Sequence, residues 1–184
     1  MDGDARLRVT LLGAFRVSRD DIVLPVAGDR LRGLLVRLAL ADGRPVEPAV
    51  LVEAIWAEEP PPGPVGALQT LVSRLRRTLS SAGADSAVER VAGGYRLVAA
   101  EVDALRFERL TAAGREALRA GDPQAAVAAL AEAVALWGDR PGAEPPVVAV
   151  VAPAAATRLA HGSMEAVVDL AVAELALGRA EPAA

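Results

Sequence analysis

"GALQTLVSRLRRTL", residues 66–79, decides how this chain is read. At about 100° per residue, a helix places Leu68, Leu71, Val72, Leu75 and Leu79 on one arc. That arc is a core face. Opposite it lie Gly66, Gln69, Thr70, Ser73 and Arg77, with Arg74 and Arg76 on the flanks, and no acid stands between Val65 and Leu79. A helix face made only for solubility mixes its signs, and this one does not. Its residue types are those that read a DNA major groove. Arginine bonds guanine bidentately, glutamine pairs with adenine, and hydroxyls donate or accept. The spacing therefore predicts base readout by Gln69, Thr70, Ser73 and Arg74. Arg76 and Arg77, nearer the C-terminal end, are expected to hold phosphates. The plain alternative is a solvated basic face that touches nothing.

Working outward, the N-terminal "RLRVTLLGAFRV" alternates as a strand around Leu7, Val9 and Leu11 and restarts at Phe15 and Val17. "DIVLPV" supplies another short strand after an acidic turn at Asp20-Asp21. Asp29 is the expected N-cap of a helix reaching about Ala41, with Leu31, Leu34, Leu35 and Leu38 as its stripe. Pro48 opens a second helix that should bury Val50, Leu51, Ala54 and Ile55 and end at Trp56. "EEPPPGP" then forms a stiff loop into the arginine helix, which Ser81 to Gly83 close. "VERVAGGYRLV" reads as a hairpin around Gly93-Gly94. Strands, three helices and a terminal hairpin make an α+β winged helix-turn-helix with an extra N-terminal sheet. An unrelated small α+β domain is the competing fold.

Composition divides the chain in two. Residues 1–100 hold thirteen arginines against twelve acids, and residues 101–184 hold seven against twelve, so the halves carry +1 and −5. Such asymmetry suggests two different jobs. From Glu101 the sequence becomes alanine-rich and helical. Two helices meet at Gly121-Asp122-Pro123, and Ala113, Ala117, Ala126 and Ala133 are expected to let them approach closely. This is an all-α, tetratricopeptide-like hairpin. Residues 140–153 read as an irregular connector, and a third helix should run from about Ala154 to Leu177. Its positions Val167, Leu170, Ala171, Glu174 and Leu175 call for a following partner, which would begin after the Gly178-Arg179 turn and is cut short at Ala184. The expected domains are 1–100 and 101–184.

Much chemistry is excluded. All twenty basic residues are arginine, so no P-loop lysine or Schiff base is available. Cysteine is absent, and the lone histidine, His161, has no nucleophile–acid partners. No enzyme, cofactor or metal site is expected. The longest apolar-rich stretch, 147–156, contains Pro153 and is too short to span a bilayer. Neither a signal peptide nor a membrane partner is expected, and the chain is read as cytoplasmic.

The segments "LLGAFRV", "LRGLLVRLALADGRPVEPAVLVEAIWAEEPP", "ALQTLVSRLRRTL" and "GGYRL" together resemble the Streptomyces antibiotic regulatory protein (SARP) family, with its OmpR-like winged helix. "DALRFERLTAAGREALRAGDPQAAVAALAEAVALW" resembles the bacterial transcriptional activation domain that follows it in that family. The resemblance implies an activator that binds double-stranded DNA at direct repeats near promoters and contacts RNA polymerase, with a homodimer on tandem repeats as the expected assembly. It also implies that the arginine helix is the recognition helix and that the loop Glu58 to Pro64 faces polymerase. The hairpin is then the wing, with Arg90 and Arg96 as backbone contacts. Val65-Gly66 stands where family members carry a polar or basic pair. A helical interaction module whose winged helix has lost DNA affinity is the alternative function.

Overall fold

The computed structural model describes residues 6–20, 22–57, 59–84 and 86–178. Asp21, Glu58 and Arg179, which belong to the expected acidic turn, polymerase-facing loop and terminal turn, lie outside the described residues, as does the helix expected after Arg179.

Three N-terminal strands, β1 (Leu7–Thr10), β2 (Arg16–Arg19) and β3 (Ile22–Val23), form an antiparallel meander. Alternation drives it, since Leu7, Val9 and Val17 are buried beneath polar neighbours. Helices α1 (Asp29–Leu40), α2 (Pro48–Trp56) and α3 (Pro64–Ser80) follow. The strands β4 (Val88–Val91) and β5 (Gly94–Leu97) then make a hairpin joined by Ala92 and Gly93. A further strand, β6 (Ala100–Val102), is one the sequence does not announce. It pairs in parallel with β1, Leu7 opposite Ala100, and completes a sheet of order β3-β2-β1-β6. The expected domain boundary at 100/101 thus falls inside a strand of the N-terminal sheet.

The helical stripes close the core. Leu31, Leu34, Leu35 and Leu38 of α1 are buried against Leu51, Leu68, Leu75 and Leu79. Two local expectations are corrected. Gly28, with φ of 94°, occupies the α1 N-cap, while Asp29 is the first helical residue and its carboxylate is 95% exposed. A positive φ suits glycine, and Asp29 still favours the helix through its charge near the N-terminus. Val50 is exposed, because in this short helix Leu51 and Trp56 fill the inward face, with Ala54 and Ile55 at its margin.

The second half packs α4 (Asp103–Arg119) against α5 (Pro123–Ala135) and both against the long α7 (Pro153–Ala176). Asp122 caps α5 by accepting from the Ala125 amide at 3.0 Å. Phe107 meets Trp137 edge-on, with ring centroids 5.5 Å apart. Close approach comes from Gly114, not Ala113, which is exposed. A Cβ on Gly114 would lie 2.5 Å from Leu130 Cγ. Ala126 and Ala133 are buried as expected, and Ala117 is half-buried.

The expected irregular connector contains a helix, α6 (Pro146–Val151). Val148 and Val151 are buried, and Val151 lies so near α1 that a Cβ on Gly33 would approach its Cγ1 to 2.8 Å. Burial therefore overrides a β-branched, proline-led sequence. Ser163 on α7 fixes the loop that precedes α6, accepting from the Gly142 amide at 2.7 Å and donating to the Ala160 carbonyl. On α7, Leu170 packs on the core and Val167 is half-buried, whereas Met164, Val168, Val172 and Leu175 are the exposed apolar stripe.

The halves are joined tightly. The Asp103 carboxylate accepts from the Leu11 amide at 2.7 Å and the Leu12 amide at 3.1 Å, and from Ala104 at the head of α4. Burial raises the Asp103 pKa above its ordinary value, against the opposing pull of these backbone amides.

Candidate nucleic-acid interface

Helix α3 owes its position to one face. Leu68, Val72, Leu75 and Leu79 are buried, and Leu71 sits half-buried at the margin. With that face fixed on α1 and α2, the opposite side must point outward. Gln69, Thr70, Ser73, Arg74 and Arg77 are all exposed, as the sequence predicts. Gly63, in the left-handed region at φ of 70°, and Pro64 at the first helical position start the helix, which has no acid in its first turn. Nothing stands within 4 Å of where a Gly66 Cβ would be, so that end of the face is open.

The hydroxyls are partly engaged. Thr70 Oγ1 donates to the Gly66 carbonyl at 3.0 Å and Ser73 Oγ to the Gln69 carbonyl at 2.9 Å. Their outward lone pairs remain acceptors, while donation to a base requires the hydroxyl to turn from its own helix. Thr78 Oγ1 donates to the Arg74 carbonyl at 3.2 Å, but among the described residues the Arg74 and Arg77 guanidinium groups make neither a hydrogen bond nor an ion pair.

Arg76 behaves differently from its neighbours. It is half-buried, and its Nε donates to the Val88 carbonyl at 2.9 Å, tying α3 to the first strand of the hairpin. This bond positions the hairpin beside the helix. The hairpin is also pinned by a bridge between Val46 and Tyr95. Gly94, with φ of 136°, crosses so close to Val46 that a Cβ would fall 2.0 Å from its carbonyl oxygen. The structural reason for glycine is that approach.

The two wing arginines part company. Arg90 is exposed, with its Cζ 5.9 Å from the Tyr95 ring centroid, and it lines one cleft with Pro64 and Val65 at the start of α3. Arg96 lies opposite Glu89 in the hairpin register and donates to its carboxylate through Nε and Nη2, at 2.8 and 2.6 Å. Its charge is therefore balanced locally. Sequence reasoning missed Arg30. Its Cζ lies 5.8 Å from the Trp56 ring centroid, and it lines one cleft with Thr70 and Arg74. Its signal was the basic residue in the first turn of the helix that α3 packs against.

Among the described residues no group of three or more acids or histidines could hold a metal ion, and no helix is long and apolar enough to cross a membrane. His161 is exposed on α7.

A small sheet, three helices with a basic outer face on the third, and a pinned hairpin define a winged helix-turn-helix, here followed by an all-helical domain. Known families match this division. "Transcriptional regulatory protein, C terminal" matches residues 27–97, and "Bacterial transcriptional activator domain" matches residues 102–184. Regulatory protein AfsR of Streptomyces coelicolor is 35% identical over 134 residues, covering 71% of this chain and 13% of AfsR. Transcriptional regulatory protein EmbR of Mycobacterium tuberculosis is 33% identical over 138 residues, covering 73% of this chain and 36% of EmbR. The solved structure of Mycobacterium tuberculosis EmbR in complex with a low-affinity phosphopeptide superposes with a TM-score of 0.80 at 31% identity. That match covers 95% of this chain and 47% of EmbR's. The chain belongs to the SARP family of transcriptional regulators, an OmpR-like winged helix joined to a bacterial transcriptional activation domain. It spans well under half the length of these curated relatives.

Proposed function

We propose that the chain is a sequence-specific DNA-binding regulator that activates transcription from direct repeats near promoters. The observation that carries this reading is the outward face of α3, where Gln69, Thr70, Ser73, Arg74 and Arg77 are exposed together with no acid among them. The helix enters the major groove with these side chains toward the bases, and Arg90 reaches the backbone from the wing. Arg30 supplies a further phosphate contact from α1. DNA affinity resides in residues 1–100, and residues 101–184 form the activation domain. RNA polymerase is contacted through the α2–α3 loop, two copies occupy tandem repeats, and the protein works in the cytoplasm without catalysing a reaction.

The test is binding of the whole chain to cognate and scrambled promoter duplexes across a salt series. Cognate binding should be tighter, and log affinity should fall linearly with log salt, with a slope of about −0.9 per neutralised phosphate. Equal, weak binding to both duplexes would favour the interaction-module reading instead.

A further inference from the structure

A cavity of about 500 Å³ opens beside the contact between α1 and α6. Both halves of the chain build it. Phe15 and Arg32 come from the winged helix, and Arg140, Val147, Val150 and Val151 come from the helical half. The valines and Phe15 make the walls apolar, and Val150 lines the cavity while 75% exposed. Drug-sized ligands occupy cavities of about 300–1,000 Å³, preferentially at domain junctions.

The cavity's charge selects the ligand. Arg32 is held in place, its Nε donating to the Val26 carbonyl at 3.0 Å and its Cζ lying 5.8 Å from the Phe15 ring centroid. The nearest carboxylate to its terminal nitrogens is Asp29, 3.9 Å away and 95% exposed, a pairing that solvent screens heavily. Arg140 has no side-chain hydrogen bond or ion pair among the described residues. Two guanidinium groups against one solvated carboxylate leave the cavity with one surplus positive charge. A carboxylate matches a guanidinium edge with two parallel hydrogen bonds, and a single negative charge matches the surplus.

The geometry points to an effector site in this cavity for a small apolar carboxylic acid, bound as its anion across the domain junction. The apolar body lies on Phe15 and the valines, and the carboxylate reaches Arg32 and Arg140. Such a ligand ties α6 to α1, the helix that also supports α3.

Calorimetric titration of the whole chain with decanoate tests the site. Saturable one-to-one binding is expected. Arg140→Glu and Val150→Asp, both at exposed positions, should each weaken it about tenfold or more, which corresponds to about 1.4 kcal/mol. Val168→Asp, on the distant α7 stripe, should leave it unchanged, and decylammonium should not bind. Circular dichroism checks that each variant is folded. The proposal is overturned if decanoate shows no saturable binding, if Arg140→Glu and Val150→Asp bind like the parent, if Val168→Asp weakens binding, or if decylammonium binds equally. No arm of the experiment uses DNA, so its outcome is separate from the DNA-binding reading.

Discussion

Arg74 and Arg76 lie two residues apart on one helix, yet their replacement by alanine should produce opposite signatures. The Arg74 guanidinium is exposed and has no partner among the described residues, so Arg74→Ala removes nothing from the folded core. Arg76→Ala deletes the 2.9 Å bond to the Val88 carbonyl and the half-buried stem above it. A hydrogen bond with one charged partner contributes about 1.5–3 kcal/mol, and partial exposure places this one near the lower end. For a chain of this size, about 1.5 kcal/mol lowers the melting temperature by roughly 3–6 °C. On DNA the order reverses. Arg74→Ala should cost about 1–3 kcal/mol on the cognate duplex and relax preference at one base position. Arg76→Ala should weaken all duplexes alike, because its guanidinium aligns the wing through Val88. Thermal melts paired with fluorescence anisotropy on cognate and scrambled duplexes, at several salt concentrations, separate the two. An Arg74→Ala protein that melts lower and binds normally, or an Arg76→Ala protein that melts like the parent, would refute the assignment of roles.

Gly94→Ala should displace the wing, since its Cβ would collide with the Val46 carbonyl; heteronuclear NMR should show shifts concentrated at Val46 and Tyr95, with loss of DNA affinity. Gly114→Ala should destabilise the helical half by about 1–3 kcal/mol through overpacking against Leu130, measured by urea unfolding. For Asp103 the folded-state pKa is raised, so the folded form binds its proton more tightly than the unfolded form. The stability advantage of the parent over Asp103→Asn should therefore be largest below the ordinary value of 3.8 and shrink as pH rises through the raised one, followed by denaturation at stepped pH. Replacing Val168 and Val172 together with aspartate should leave the fold intact and reduce any self-association seen in analytical ultracentrifugation, because both side chains already face solvent.

The arginine helix was legible in the sequence because its leucine stripe fixes which residues point outward, whatever it packs against. The exposed set at Gln69, Thr70, Ser73, Arg74 and Arg77 follows directly. Arg76 and Arg96 were legible only as charges. Their partners, the Val88 carbonyl and Glu89, depend on where the hairpin folds back and how its strands register. Helix α6 was hidden because valines after two prolines favour extended backbone, and only burial of Val148 and Val151 makes the helix worthwhile. The close-approach residue slipped from Ala113 to Gly114 because one step around a helix is about 100° and a run of small residues does not show which of them faces inward. Strand β6 has three residues and no alternation to detect, and it exists because β1 offers a free edge.

That short strand bears on how the protein emerges from the ribosome. Leu7 is among the first described residues, and its parallel partner Ala100 is made more than ninety residues later. Contacts so distant in sequence close slowly, because the entropy of the intervening loop must be lost before the pairing is gained. Until Ala100–Val102 and Asp103 have been synthesised, the edge of β1 and the amides of Leu11 and Leu12 have no native partner. The sheet is thus sealed by the segment that leads into the activation domain. While residues 100–103 are still held inside the ribosomal tunnel, a nascent chain should expose that edge to proteases and to other nascent copies, and emergence of Asp103 from the tunnel should protect it in a single step.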